Sequence, residues 1–263
     1  MKIKAKKSLG QNFLLDKNII KKIVEVVDIT ADSAVLEIGA GTGNLTEYIL
    51  KKNPKKIFVI EKDEKLVSKL KERFNKKVDI INDDILKVSE NLIYPDKLIV
   101  YGNLPYNIST QILSKWITND NQNIWYKNYI LMFQKEVAER ILAVTNSKNY
   151  GRLSILSNWK LEVKKVIDVN ASCFYPKPKI ESTVLKFTPK KCFPILKNPK
   201  NLEIITRVFF NQRRKKIKKP LNQLFKTPDK IIEKLKLDTN WRPQNLSPQV
   251  YYQLAKEYEN LRN

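Results

Sequence analysis

Residues 34 to 133 repeat one pattern, in which a short apolar run is followed by a segment with helical spacing or a loop. The pattern predicts strands at 34–38, 56–60, 78–81, 97–101 and 129–133, and helices at 45–52 and 64–74. Strands that alternate with helices of this length form a parallel sheet covered on both faces. We therefore expect an α/β fold with a Rossmann-like sheet, preceded by helical spacing over 19–29 and followed by a strand at 182–187.

Three prolines close together indicate where this domain ends. Pro189, Pro194 and Pro199 interrupt the chain, and the apolar spacing after them is helical. We expect a first domain over 1–195 and a small all-helical domain over 196–263, because the tail is too short for a second sheet domain.

The charge balance points to a polyanionic partner. Fifty Lys and Arg against 27 Asp and Glu give a net charge of +23. A charge of this size suits a protein that contacts nucleic acid. A Lys-rich composition without a binding role is the alternative.

Several classes of site are excluded by composition. The chain has no His, so a His-based triad is ruled out, and Cys173 and Cys192 alone would have to supply a zinc site, so we expect no metal. Two cysteines fit a reducing compartment. No run reaches the ~20 apolar residues of a membrane span, and no signal-peptide core follows the N-terminal lysines. We expect a cytoplasmic protein without a membrane partner.

Three of the six glycines, Gly39, Gly41 and Gly43, lie between the first predicted strand and its helix. Glycine lets a ligand approach the backbone closely. A plain tight turn is the alternative, and a dinucleotide site would place its third glycine one position later.

Acidic residues follow successive strands of the same predicted sheet. Glu37 precedes the turn, Glu61 ends the second strand and Asp84 follows the third. The carboxyl ends of parallel strands are where such sheets bind ligands, and an acid at the second strand commonly accepts ribose hydroxyls. Any one of these acids, taken alone, is more typical of a solvent-exposed loop residue than of a ligand-binding residue. Together they favour an adenosine-bearing ligand with a cationic tail, such as S-adenosylmethionine.

The tetrapeptide Asn103-Leu104-Pro105-Tyr106 follows the fourth strand. The exocyclic amine of adenine is a weak nucleophile, and two acceptors aimed at its hydrogens would favour the reactive pyramidal geometry. The Asn103 carboxamide and the Leu104 carbonyl could be those acceptors, and Tyr106 offers a ring for an unstacked base. An ordinary loop is the alternative.

These motifs resemble the KsgA (RsmA) family of ribosomal RNA adenine dimethyltransferases. The resemblance also rests on 8–14, 134–140, 150–154 and 174–179 and covers nearly the whole chain. It implies transfer of methyl groups from S-adenosylmethionine to the N6 amines of two adjacent adenosines in the 3′-terminal hairpin loop of small-subunit ribosomal RNA. It also implies the small ribosomal subunit as partner, and we expect a monomer.

The resemblance implies roles for individual residues as well. Phe174 would sandwich the target base opposite Tyr106, unless it is simply a core aromatic. The predicted catalytic group is Asn103, Leu104, Tyr106 and Phe174. The predicted cofactor-binding residues are Gln11, Asn12, Leu14, Glu37, Gly39, Gly41, Glu61, Lys62, Asp84, Ile85 and Asn103. The predicted RNA contacts are Lys177, Lys179, Arg213, Arg214, Lys215 and Lys216, although such runs are often only solvated.

Two other functions remain open at this point. Erm methyltransferases, which act on large-subunit RNA, share most of these motifs, but the segments 209–216 and 242–247 resemble the KsgA branch. A non-catalytic RNA-binding assembly factor could also retain the fold, although the intact tetrapeptide speaks against it.

Overall fold

One seven-stranded sheet forms the centre of the N-terminal part of the chain. The computed structural model describes residues 5–6, 9–118 and 124–261. The strands are β1 Phe13–Leu14, β2 Ala34–Ile38, β3 Lys56–Ile60, β4 Asp79–Ile81, β5 Leu98–Asn103, β6 Tyr126–Gln134, β7 Leu161–Val169, β8 Phe174–Tyr175 and β9 Ser182–Pro189. The helices are α1 Lys17–Val24, α2 Asn44–Leu50, α3 Glu64–Phe74, α4 Ser109–Thr118, α5 Lys135–Leu142, α6 Arg152–Lys160, α7 Lys200–Asn211, α8 Lys218–Leu224, α9 Pro228–Lys234 and α10 Pro248–Asn260.

The strand order of the sheet is β4-β3-β2-β5-β6-β9-β7. The pairs from β4 to β6 are all parallel, whereas β6 and β9 pair antiparallel. The predicted α/β fold is therefore confirmed. The sheet departs from a purely parallel one where β9 pairs antiparallel with β6. A separate two-stranded ribbon pairs β1 with β8, with Phe13 opposite Tyr175.

Burial and capping explain the central elements. All five residues of β2 are buried, which is the pattern of a parallel strand covered on both faces. Asp16 caps α1 by accepting from the amides of Asn18 and Ile19, and Asp63 caps α3 by accepting from the Lys65 amide. The cap of α3 lies three residues after the carboxyl end of β3.

The chain divides into two compact units. One comprises Met1–Ile112, Gln122–Ala138 and Val163–Pro189, and the other comprises Leu113–Asn121, Glu139–Glu162 and Lys190–Asn263. This differs from the predicted division into 1–195 and 196–263, because the helical unit also takes in α6. Inside that unit the Tyr150 hydroxyl donates to the Leu246 carbonyl, and the Tyr252 hydroxyl donates to the Ile155 carbonyl.

Within the described part of the chain, no helix is long and apolar enough to cross a membrane. The same residues contain no group of three or more Cys, Asp or Glu arranged to hold a metal ion.

Candidate functional site

A cleft of about 210 Å³ opens where the parallel strands end. It receives residues from the N-terminal segment, from the loops after β2, β3 and β4, and from the end of β5. Of the predicted cofactor-binding and catalytic residues, it is lined by Gln11, Asn12, Leu14, Glu37, Gly39, Gly41, Glu61, Lys62, Asp84, Ile85, Asn103, Leu104 and Tyr106. The topology thus brings together residues that lie up to 95 positions apart.

The glycine turn and Glu61 form one hydrogen-bonded unit. Gly39 and Gly41 have φ of +68° and +59°, a backbone conformation that residues with a Cβ rarely adopt. A Cβ on Gly41 would also lie 2.8 Å from Cδ1 of Phe13. The Glu61 carboxylate accepts from the Gly41 amide at 3.0 Å and from the Asp63 amide at 2.9 Å. The Lys62 amide also acts on this carboxylate, which can accept about four bonds in all, so acceptor capacity remains for ligand hydroxyls.

Glu37 lies deeper and is 2% exposed. The Thr46 hydroxyl donates to it at 2.6 Å. Burial, opposed by this hydrogen bond and reinforced by the nearby Glu61 charge, raises the pKa of Glu37 to about 7. Near neutral pH its charge can therefore respond to a ligand.

Asp84 is already partly satisfied by its surroundings. Its carboxylate contacts the Lys62 ammonium at 2.8 Å and accepts from the Leu86 amide at 3.0 Å. The Lys62 hydrogen bond and then the Leu86 amide hold the pKa of Asp84 below its usual value. Asp84 and the buried Ile85 side chain both line the cleft.

Asp63, which the sequence interpretation missed, ties down the N-terminal segment. Its side chain is 4% exposed and contacts the Lys6 ammonium at 2.8 Å. Gln11 donates to the second oxygen at 2.9 Å and accepts from the Lys6 amide at 2.8 Å. Burial raises the pKa of Asp63, but the Lys6 and Gln11 hydrogen bonds outweigh it, so the pKa is lowered. The Gln11 carboxamide is therefore engaged by protein groups at both ends.

The orientation of Asn103 follows from one hydrogen bond. Its Nδ2 donates to the Asn12 carbonyl at 2.8 Å. A carbonyl can only accept, so the amino group must face Asn12 and Oδ1 must face away. No described residue donates to Asn103 Oδ1 or to the Leu104 carbonyl, which leaves both predicted acceptors available.

The tyrosine of the tetrapeptide is held from a second strand. The Tyr106 hydroxyl and Ser182 Oγ, at the start of β9, are 2.6 Å apart. The ring is half-buried and lines the cleft. Burial raises the pKa of Tyr106, although the Ser182 hydrogen bond opposes it.

Phe174 is the one predicted catalytic residue that does not line the cleft. It is 4% exposed, pairs with Leu14 across the ribbon and belongs to the hydrophobic core, and it does not line the cleft. This burial fits the core alternative, while the role of Phe174 opposite Tyr106 stays a prediction. The exposed aromatic beside it is Tyr175, at 55%.

The predicted RNA contacts fall into two kinds. Lys177, Lys179, Arg214 and Lys215 are exposed. Arg213 is instead part-buried, and its guanidinium donates to Gln244 Oε1 at 3.2 Å and to the carbonyls of Ser147 and Lys148. Lys216 is exposed but donates to Asn240 Oδ1 at 2.8 Å. Arg213 therefore has a structural role inside the helical unit.

Comparison with known proteins identifies the family. Residues 2–260 match the family described as ribosomal RNA adenine dimethylase. The chain belongs to this family. As a ribosomal RNA adenine dimethylase it is a methyltransferase, which confirms the predicted enzyme class.

Relatives and solved structures agree with this assignment. Ribosomal RNA small subunit methyltransferase A from Pelagibacter ubique (strain HTCC1062) is 61% identical over 262 residues and covers 100% of both chains. The protein of the same description from Wolbachia sp. subsp. Drosophila simulans (strain wRi) is 42% identical, over 98% of this chain and 94% of its own. A crystal structure of a dimethyladenosine transferase from Plasmodium falciparum has a TM-score of 0.81 at 29% identity, covering 94% of this chain and 98% of that one. The 23S rRNA methyltransferase ErmE, at 20% identity and a TM-score of 0.68, shares the fold.

The cleft residues fit the S-adenosylmethionine that a dimethylase uses. The open lone pairs of Glu61 suit ribose hydroxyls, and the left-handed glycine turn keeps side chains away from the ligand. The buried Glu37 carboxyl suits a cationic amine. The apolar lining beside these groups suits an adenine ring.

Proposed function

We propose that this dimethylase transfers methyl groups from S-adenosylmethionine to the N6 amines of two adjacent adenosines in the 3′-terminal hairpin loop of small-subunit ribosomal RNA. The orientation of Asn103 is the observation that carries the proposal. Its Oδ1 accepts from no described residue, Asn103 lines a cleft that also holds the half-buried Tyr106, and the Pelagibacter relative is described as a small-subunit methyltransferase.

Glu61, Asp84 and the Gly39–Gly41 turn would hold the cofactor. When bound, S-adenosylmethionine supplies an electrophilic methyl group. Glu61 would accept both ribose hydroxyls, while Asp84 would accept from the adenine amine. Glu37 would face the cationic end of the cofactor, where its ionisation near neutral pH balances positive charge.

Asn103 Oδ1 and the Leu104 carbonyl would accept the two hydrogens of the target amine. This draws the nitrogen toward a pyramidal geometry, in which its lone pair points at the methyl donor rather than into the ring. Both acceptors are held before the substrate arrives, so little reorganisation is needed. Tyr106, held by Ser182, would supply the ring against which the flipped base lies.

The absence of a His general base is consistent with this chemistry. Methylation gives a cationic amine that loses its proton readily, so the chain needs acceptors rather than a strong base. Exposed Lys177, Lys179, Arg214 and Lys215 would contact RNA phosphates, which position the substrate without reading its sequence.

Methyl transfer onto ribosomal particles that lack the modification tests the proposal. Purified protein, labelled S-adenosylmethionine and unmodified small subunits should give N6,N6-dimethyladenosine at two adjacent positions of the terminal hairpin, identified by mass spectrometry of RNA fragments. Large subunits should remain unlabelled. Labelling of large-subunit RNA would favour the Erm-type alternative, and binding without labelling would favour a non-catalytic assembly factor.

A further inference from the structure

A polar pocket lies within the helical unit and shares no lining residue with the catalytic cleft. Its lining consists of Asn146, Asn240, Trp241, Arg242, Gln244 and Asn245. Asn146 has φ of +70°, and its amide donates to the Gln244 carbonyl at 3.0 Å. This contact joins the loop before α6 to the loop before α10.

All four carboxamides of the pocket are oriented by their neighbours. Each side-chain oxygen accepts from an amide, an ammonium, a guanidinium or a carboxamide N–H of the same unit, and these groups can only donate. The bonds are Asn245 Nδ2 to Asn146 Oδ1 at 2.8 Å, Lys216 Nζ to Asn240 Oδ1 at 2.8 Å, Arg213 Nε to Gln244 Oε1 at 3.2 Å and the Arg242 amide to Asn245 Oδ1 at 2.8 Å. A 180° flip of any of the four carboxamides would place its amino group against another donor.

The amino groups left over make the pocket a surface of donors. Those of Asn146, Asn240 and Gln244 donate to no described residue, and the Arg242 guanidinium has no partner among the residues that the structure describes. No carboxylate lines the pocket. A matching ligand must present adjacent hydrogen-bond acceptors.

Trp241 adds an aromatic surface beside these donors. Trp241 is 42% exposed, whereas Trp159 of the same unit is 1% exposed. An exposed aromatic ring of this kind is a surface on which an unstacked base can lie.

We infer that this pocket binds one unstacked nucleobase of the RNA substrate, with the base on the Trp241 indole and its acceptor edge on the amino groups. The inference rests on the proposed function for the existence of an RNA substrate. Guanine presents two neighbouring acceptors, O6 and N7, on one edge. Adenine places an amino donor beside N7 on the same edge. The pocket therefore prefers guanine to adenine.

Two labelled RNA hexamers test this preference by fluorescence anisotropy with the full chain. One alternates guanosine and uridine and the other alternates 7-deazaguanosine and uridine, so both have the same charge and base order and differ only in the N7 acceptor. We expect about tenfold tighter binding of the guanosine–uridine hexamer, the size of one base-edge discrimination. Equal affinities for the two hexamers would overturn the inference.

Matched variants separate base recognition from charge. Asn240→Asp with Gln244→Glu keeps the bonds to Lys216 and Arg213 but replaces two outward donors with oxygens, and it should abolish the preference. Gln249→Glu with Gln253→Glu adds the same charge on exposed positions of α10 and should preserve it. Trp241→Ala should weaken both hexamers about tenfold, while Trp241→Phe should retain most of the affinity.

Methyl transfer onto small subunits, measured in parallel, distinguishes the two claims. If the wild-type protein methylates small subunits but binds both hexamers equally, only the inference about the pocket is contradicted. A wild-type protein with the preference and no methyl transfer contradicts only the proposed function. A preference that survives the Asn240 and Gln244 changes also contradicts the pocket.

Discussion

At the scale of the residue, Glu61 is the group whose removal should affect cofactor binding most directly. Glu61→Ala removes a pair of ribose acceptors and frees the Gly41 amide, so S-adenosylmethionine should bind more weakly by about 1–3 kcal/mol. Glu61→Gln, which retains one acceptor oxygen, should lose less. Titration calorimetry measures both. The adjacent exposed Glu64→Ala is the control, and an unchanged affinity in Glu61→Ala would refute the assignment.

Glu37 should make stability depend on pH. Its pKa in the folded protein is raised to about 7, so the folded state holds a proton that the unfolded state loses above about 4.5. The free energy of unfolding should therefore fall as pH rises from about 5 to 7, and the loss should reach about 3 kcal/mol at pH 8. Glu37→Gln, which can still accept from Thr46, should melt near the wild type at pH 5 and above it at pH 8. The same difference at both pH values would show that Glu37 titrates normally.

At the scale of the element, Asp63 joins the N-terminal segment to the end of β3. Its carboxylate accepts from the side chains of Lys6 and Gln11. Asn12, which follows Gln11, orients Asn103 through its carbonyl. Asp63→Ala should therefore raise the KM for S-adenosylmethionine and lower kcat, each several-fold. Asp63→Asn, which keeps one acceptor, and Lys6→Ala should give smaller changes.

Because Asp63 also caps α3, Asp63→Ala should cost about 1 kcal/mol of stability. Asp16→Ala removes the comparable cap of α1 and serves as the control for that loss. If Asp63→Ala and Asp16→Ala have equal steady-state parameters, Asp63 is only a cap and not a positioning residue.

The elements also show how far the sequence could be interpreted. The ranges 34–38, 56–60 and 64–74 agree with the structure because apolar runs and helical spacing directly reflect burial there. Strand β7 was missed because most of its residues are partly or fully exposed, so its apolar signal is weak. Strands β1 and β8 were missed because two residues carry no periodicity.

Site residues could be predicted where backbone topology decides their position. Acids at the ends of parallel strands necessarily converge, so Glu37, Glu61 and Asp84 line one cleft. The partners of individual side chains could not be predicted from the spacing of residues in the sequence. The burial of Phe174, the engagement of Gln11 by Asp63 and the internal bonds of Arg213 all depend on contacts between distant segments.

At the scale of the whole molecule, the net charge of +23 should make RNA binding strongly dependent on salt. Log affinity for small subunits should fall linearly with log salt, by about 0.7–0.9 for each phosphate contact. Arg214→Ala with Lys215→Ala should lower this slope by up to about two contacts without changing cofactor affinity, because both side chains are exposed. A salt-independent affinity would mean that the charge is only compositional.

Arg213→Ala is the contrasting variant. It removes the bonds to Ser147, Lys148 and Gln244, so it should lower the melting temperature of the protein rather than simply flatten the salt dependence. A fully stable Arg213→Ala protein with a lower slope would return Arg213 to the group of phosphate contacts.

The central claim is that Asn103, turned by the Asn12 carbonyl, presents its oxygen to the target amine. Single-turnover methylation of unmodified small subunits by Asn103→Ala, with cofactor and particle binding measured alongside, tests it most directly. The predicted result is a rate lower by roughly 10²–10³-fold, the usual effect of losing one pre-organised hydrogen-bonding group, with both affinities nearly unchanged. A rate within a few-fold of the wild type would contradict the claim.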